Sequence, residues 1–154
     1  MKLAFTYDDH HSAGAEWERR DLKDWITDIF EAPAVKVEPR CTTRIHSFVE
    51  GELMKEGWAQ KVKLNHEMGS NIFAAKGDIG FQLQTGNMAR AYYDLLKLQY
   101  LFQANRIELA ALAVPKQSAA KIIGSNIAYA ERVIRELQLF DRVITLPIMV
   151  IAFE

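Results

Sequence analysis

The sequence contains little cysteine and no long apolar stretch, and each shortage excludes a class of protein. A single cysteine, Cys41, rules out an internal disulfide, so we expect a reducing cytoplasmic location and an ordinary buried thiol. No apolar run approaches the roughly 20 residues needed to cross a bilayer. The acidic N-terminal segment is not typical of a signal peptide, so we expect no association with a membrane.

Neither sign of charge dominates. The net charge is −1, which by itself does not indicate a nucleic-acid-binding protein. The first 31 residues carry 8 acids and 4 bases, whereas the remainder carries 12 acids and 15 bases and is mildly basic. This distribution permits a DNA-binding face, although ordinary surface charge also explains it.

The length of 154 residues, 49% of them apolar, predicts a single domain over residues 1–154 with a well-formed core. The apolar periodicity predicts an α/β fold, with a mixed central sheet flanked by helices. Strands are predicted at 3–7, 58–64, 71–75, 79–84, 107–114 and 143–153, and helices at 15–30, 42–57, 87–102 and 127–139. The nearly continuous apolar run 107–114 is typical of a strand covered on both faces. Because Pro147 lacks an N–H, the last strand should begin after it or lie at an edge.

The strand predicted at 79–84 carries the most informative polar residues. Its alternation directs Asp78, Gln82 and Gln84 to one side and the apolar residues to the other. Nucleases that cleave phosphodiesters use a similar arrangement, in which carboxylates at a strand end hold a divalent cation. Magnesium binds through carboxylates, so neutral amides cannot replace them. The pattern therefore has the geometry of a phosphodiesterase site without its negative charge.

The stretch Gly80–Asn87, Gly-Phe-Gln-Leu-Gln-Thr-Gly-Asn, resembles the Val-Glu-Val-Gln-Phe-(Gly/Ser)-Asn signature of BglII-type type II restriction endonucleases. The resemblance spans roughly residues 45–153 and rests on the order of several segments: Glu52–Trp58, Asp94–Gln99, Ile107–Val114, Ser125–Asn126 with Tyr129 and Glu131, and Pro147–Ile148. It implies a restriction-endonuclease-like fold and double-stranded DNA as partner. It also implies Mg²⁺ as cofactor if the chain is active, and a homodimer, because the family cleaves palindromes by two-fold symmetry.

The departure from the family pattern concerns the catalytic positions. The family's catalytic glutamate falls on Gln82, and its glutamine falls on Gln84. The family's metal-binding aspartate falls on Phe73, or on Asn71 if the turn slips by two residues. Since none of these positions is acidic, we expect an open cradle around residues 78–84 that binds DNA without cutting it.

Three explanations of this departure stay open. The chain is a natural pseudo-nuclease, a deliberately inactivated protein, or a nuclease whose site has been rebuilt from other acids. The rebuilt site would use Asp78, Glu50 and Glu52, with Asp78 and Glu50 as the metal ligands.

Several further residues match family positions that contact DNA. Asn87, Ser125 and Asn126 fall where loops read base edges, and Asn bonds adenine at two points. The simpler alternative is that Asn87 and Asn126 cap helices. Lys97 either approaches a phosphate or faces water. The alternative function is an interaction module, such as a nuclease partner or inhibitor subunit, which the short chain and near-neutral charge favour.

Overall fold

A computed structural model describes all residues, 1–154, as a six-stranded mixed sheet between two layers of helices. The strands are β1 (Leu3–Tyr7), β2 (Ala59–Lys63), β3 (Asn71–Lys76), β4 (Ile79–Leu83), β5 (Leu109–Pro115) and β6 (Ile148–Phe153). The helices are α1 (Ala13–Arg19), α2 (Lys23–Asp28), α3 (Thr42–Lys55), α4 (Met88–Gln103), α5 (Gln117–Ile123) and α6 (Ala130–Leu139). None of the helices has the length and apolar composition needed to cross a membrane.

The strand order is β1-β6-β5-β4-β3-β2. β4, β5 and β6 are parallel, whereas β1, β2 and β3 pair with their neighbours in antiparallel fashion. The central strands β5 and β6 are buried along their whole length, which confirms the expectation of a strand covered on both faces. β6 begins directly after Pro147, so the proline costs the ladder no hydrogen bond.

Side-chain alternation along the central strands divides the interior into two cores. Ile79, Phe81 and Leu83 of β4 pack with α1, α2 and α3 on one face of the sheet. The other face of β5 and β6 packs against the apolar stripes of α4 and α6. Each helical layer therefore buries one face of the same sheet, as the predicted mixed α/β fold requires.

Three details differ from the prediction. The helix expected at 15–30 is two helices, because Asp21 adopts a positive φ of 56° that a continuous helix does not allow. The segment after β5, expected to be a loop, contains the short helix α5. The helix expected from residue 127 begins at Ala130, since residues 124–129 turn back toward the loop that follows β4.

The glutamines and the loop residues predicted to be functional lie near the junction between the end of β4 and the beginning of α4. The loop between them lies beside the segment 124–128, through a bridge between Asn87 and Ile127 and a 2.7 Å hydrogen bond from the Ala128 N–H to the Gly86 carbonyl. Because β4, β5 and β6 are parallel, their carboxyl ends meet at this same edge. The fold therefore brings Gln82, Gln84 and the predicted base-reading positions to one end of the sheet, whereas Asp78 lies at the other end.

Candidate functional site

Gln82 and Gln84 both lie under α4, with exposed fractions of 6% and 7%. The Gln82 side-chain oxygen accepts a 2.6 Å hydrogen bond from the Phe73 N–H, and the Gln84 oxygen accepts one of 2.6 Å from the Gly86 N–H. These bonds fix the orientation of both amides, because a reversed amide would turn its NH₂ group toward a backbone donor. The sequence predicted an open cradle, but the two amides are buried.

Both amide NH₂ groups donate to one carboxylate, that of Asp94 on α4. Gln82 Nε2 lies 2.6 Å from Asp94 Oδ1, and Gln84 Nε2 bonds Asp94 Oδ2. Lys97, one turn further along α4, places its Nζ 2.6 Å from the same Oδ1. Asp94 is only 3% exposed, so its charge is balanced by an interior ammonium and two amides in place of water.

Lys97 is held from three sides. Besides its ion pair with Asp94, its Nζ donates to the Asn71 carbonyl at 2.9 Å and lies 5.1 Å from the centre of the Tyr93 ring. The residue is 9% exposed. The expectation that Lys97 approaches a phosphate or faces water therefore does not match its place in the fold.

The donors around Asp94 do not fit a magnesium ion. Magnesium is bound through one or two carboxylates together with water and phosphate oxygens. Here a single carboxylate has both oxygens engaged by nitrogen donors, and an ammonium stands beside it. Nor does the chain bring three or more histidine, cysteine, aspartate or glutamate side chains together anywhere else.

The two positions considered for the family's aspartate lie on β3, opposite β4. Asn71 contributes its backbone carbonyl to Lys97, and Phe73 contributes its N–H to Gln82. The Phe73 ring packs against His46 and Phe81, on the α3 side of the sheet. Ile72 and Ala74 face opposite cores although they are two residues apart, so the alternation of β3 reverses at Phe73. That reversal turns position 73 away from Gln82.

The acids proposed for a rebuilt site are not brought together. Asp78 precedes β4 and bonds Arg20, the residue after α1, at 2.7 Å, at the opposite end of the strand from Gln84. The Arg20 guanidinium holds the pKa of the Asp78 carboxyl below its usual range. The expectation that Asp78 shares the face of Gln82 is wrong, because its carboxylate bonds Arg20, whose neighbours Trp17 and Leu22 pack on the side of the sheet opposite α4. Glu50 lies on α3 near His46, and Glu52 pairs with Lys55 at 2.5 Å.

A polar groove of about 380 Å³ opens beside the buried amides. We call it the α3–α4 groove, and none of its lining residues is hydrophobic: Thr42, Thr43, His46, Gln84, Thr85, Gly86 and Arg90. His46 Nε2 lies 2.9 Å from the Thr85 hydroxyl, and burial lowers the pKa of His46, partly offset by the charges of Glu50 and Asp94. Arg90 is exposed and takes part in none of the salt bridges, so its guanidinium is free for an anion.

The three predicted base-reading residues lie on adjoining loops beside this groove. Asn87, Ser125 and Asn126 are all exposed. The Asn87 side chain accepts a 3.0 Å hydrogen bond from the Arg90 N–H, so it caps α4 as the simpler alternative proposed. Asn126 has a positive φ of 58° and lies four residues before α6, so it is not a helix cap. Its amide remains available to a ligand.

Comparison with known proteins shows the family of this chain. The family described as restriction endonuclease BglII/BglIII matches residues 5–153, which is more of the chain than the sequence motifs covered. The chain belongs to the BglII restriction endonuclease family. No curated protein sequence matches it.

Solved structures agree with the family at the level of the fold. The chain is similar to restriction endonuclease BglII complexed with a DNA 16-mer, with a TM-score of 0.81 and 15% identity over 99% of this chain and 76% of that one. Free BglII gives a TM-score of 0.65 and 16% identity over 100% of this chain and 80% of that one. The restriction-endonuclease-like fold predicted from the sequence is thereby confirmed.

The sequence reasoning missed the residues that complete the site. Asp94, His46, Thr85 and Arg90 were not proposed, although they engage the amides or line the groove. One signal was present for Asp94, because a charge next to Leu95 and three residues after Ala91 falls on the buried stripe of α4. Such a charge needs an interior partner, and Lys97 and the two glutamines supply it.

Proposed function

We propose that this member of the BglII family binds double-stranded DNA and does not cleave it by metal-dependent phosphodiester hydrolysis. One observation carries the proposal. The position of the family's catalytic glutamate holds Gln82, whose NH₂ group donates to Asp94 at 2.6 Å and leaves no anionic ligand facing the groove. The family's activity implies Mg²⁺, and without paired carboxylates nothing here would bring that ion to a phosphate.

The binding face we propose is the α3–α4 groove with the loops at its border. Thr42 and Thr43 begin α3, and the helix dipole and free N–H groups of such a terminus attract phosphate. Arg90 adds an unpaired cation on the opposite wall. Asn87, Ser125 and Asn126 stand beside this wall, where amide and hydroxyl groups would read base edges. The solved relative that contains a DNA 16-mer supports the same partner.

The absence of cleavage is tested directly. Supercoiled plasmid is incubated with the native protein and magnesium or manganese, and nicked and linear products are measured. We expect neither product. Cleavage that disappears in an Asp94→Asn variant would overturn the proposal, because it would show that the buried carboxylate still takes part in hydrolysis.

DNA binding is tested by electrophoretic shift with a randomised duplex library, at low and moderate salt and in EDTA. We expect a shift that weakens steeply with salt, since phosphate contacts release counterions. Arg90→Gln should weaken binding to all duplexes and lower the salt slope by about 1. Arg142→Gln is the matched control, because Arg142 is exposed and lies just before β6, at the far end of the sheet. Absence of any shift at low salt would defeat the proposal.

A second candidate function is an interaction module without a DNA role, and one feature favours it. An apolar groove of about 420 Å³ lies between α4 and α6, and it shares no lining residue with the α3–α4 groove. Leu96, Phe140 and Val143 line it and are 55%, 45% and 58% exposed. Exposed apolar patches of this kind mark interaction surfaces. Failure of the native protein to shift DNA would support this second function.

The remaining proposals concern assembly and location. We propose a homodimer, because the palindromic sites of the family imply two-fold symmetry. Light scattering on a size-exclusion column would give the mass directly, and a monomer at the concentrations used for DNA binding would contradict it. A cytoplasmic location also stays a prediction, supported by the single buried thiol of Cys41.

A further inference from the structure

The disagreement between the family's metal and these residues has a specific physical origin, the buried side chain of Lys97. We propose that the Lys97 ammonium replaces the divalent cation as the permanent counter-ion of the site. The site is then closed to divalent metals as long as that ammonium balances its only carboxylate. This inference builds on the proposed loss of metal-dependent cleavage, and it names the residue that maintains the loss.

The position of the ammonium is the first argument. Lys97 Nζ lies 2.6 Å from Asp94 Oδ1 and 2.9 Å from the Asn71 carbonyl oxygen, so it bridges α4 to the start of β3. Carboxylate and carbonyl oxygens are the ligands that hard cations prefer. The ammonium therefore uses oxygen ligands that a metal would need, and it does so without a vacant coordination position for substrate.

The charge balance is the second argument. Asp94 and Lys97 together contribute no net charge, and Gln82 and Gln84 contribute none. All four residues are at least nine-tenths buried. A divalent cation entering this neutral environment would lose hydration without meeting an uncompensated anion. The native site therefore has nothing with which to attract magnesium or manganese.

The two glutamine amides complete the arrangement because both the oxygen and the NH₂ group of each amide are hydrogen-bonded. Their oxygens accept hydrogen bonds from the N–H groups of Phe73 and Gly86, and their NH₂ groups donate hydrogen bonds to Asp94. A glutamate at position 82 would place a carboxylate oxygen where the Gln82 NH₂ group now faces Asp94 Oδ1. The two neighbouring carboxylates would then repel each other. Restoring the family's glutamate alone thus leaves one anion beyond what Lys97 neutralises.

The test is a graded charge series measured with the metal alone. The native site is neutral, Lys97→Met and Gln82→Glu each give it one negative charge, and the double variant gives it two. Thermal unfolding is recorded with and without manganese chloride or magnesium chloride at matched ionic strength. The uncharged control is Lys97→Met combined with Asp94→Asn, which removes the pair without leaving a charge.

We expect the native protein to show no larger metal-dependent shift than the uncharged control. The melting temperature of each singly charged variant should rise by about 3 °C at ten times the dissociation constant of the ion. The double variant should reach the same shift at a lower metal concentration. Gln82→Glu keeps Lys97, so it provides the measurement if Lys97→Met does not fold.

A metal-dependent shift in the native protein that exceeds the shift of the uncharged control would overturn the inference. So would the absence of any shift in the folded charged variants. The charge series is measured without DNA. Failure of this inference is therefore distinguishable from failure of the proposed DNA binding. Failure of the native protein to shift the duplex library would refute DNA binding and leave the charge series intact.

Discussion

The two ends of β4 each hold an acid beside a base at nearly the same distance, in very different surroundings. At the beginning of the strand, Arg20 lies 2.7 Å from Asp78, whose side chain is 44% exposed. At its end, Lys97 lies 2.6 Å from Asp94, and those side chains are 10% and 4% exposed. Water therefore solvates one pair and is excluded from the other.

Access to water, more than distance, decides how much a charge pair contributes to stability. An exposed pair contributes little, because water and salt screen it and either partner is hydrated when alone. A buried pair loses hydration on both sides, and removing one partner leaves an uncompensated charge. We therefore expect the ends of β4 to respond very differently to equivalent substitutions.

Lys97→Met should have the largest effect. It leaves the Asp94 carboxylate buried with only its two amide donors, so we expect the free energy of unfolding at pH 7, without metal, to fall by about 3–5 kcal/mol. Urea denaturation measures this loss of unfolding free energy. The matched change Arg20→Met should cost about 1 kcal/mol, because its carboxylate partners reach water. Equal losses at the two positions would contradict the comparison.

Acid should destabilise the two ends of β4 in different pH ranges, and at the carboxyl end the titrating group is His46. Burial lowers the pKa of His46 below its ordinary value of 6.5, so its contribution is present above about pH 6.5 and is lost as the pH falls through the lowered value. His46→Gln should flatten the unfolding free energy between pH 7 and 5. Burial lowers the pKa of His10 as well, so the readout is the difference between native and variant. No difference would exclude His46 as a source of acid sensitivity.

Asp78→Asn should have the smallest effect. The hydrogen bond from Arg20 lowers the Asp78 pKa, so its stabilisation is present above about pH 4 and is lost as the pH falls through the lowered value. Because the carboxylate is 44% exposed, we expect a loss of about 0–1 kcal/mol at pH 7, weakening with salt. DNA binding measured alongside should not change. A tighter or weaker gel shift would show that Asp78 acts at the α3–α4 groove after all.

Much of the fold followed from local patterns. The alternation at 79–84, the apolar run at 107–114 and Pro147 predicted β4, β5 and the start of β6, since burial on one or two faces determines such patterns. The break at Asp21 and the late start of α6 were not predictable. A positive φ at a non-glycine residue and the pairing of Asn87 with Ile127 depend on tertiary contacts.

The sequence predicted where the candidate site lies but not which groups contact one another there. The motif located Gln82 and Gln84 at the strand end, and the structure brings Asn71 and the loops predicted to read bases there as well. The sequence contains no sign that the alternation of β3 reverses at Phe73. Nor does it show that Lys97 turns inward, because a lysine three residues after an aspartate is equally typical of a solvent-exposed helix.

The interior position of Lys97 has a consequence for how such a chain changes over generations. Its contact with Asn71 uses a backbone oxygen, so replacements of that side chain are tolerated without disturbing the lysine. Placing a glutamate at position 82 alone, or losing the lysine at position 97 alone, would leave an unbalanced charge under α4 and weaken the fold. The loss of metal-dependent cleavage proposed above would therefore be hard to reverse through single substitutions.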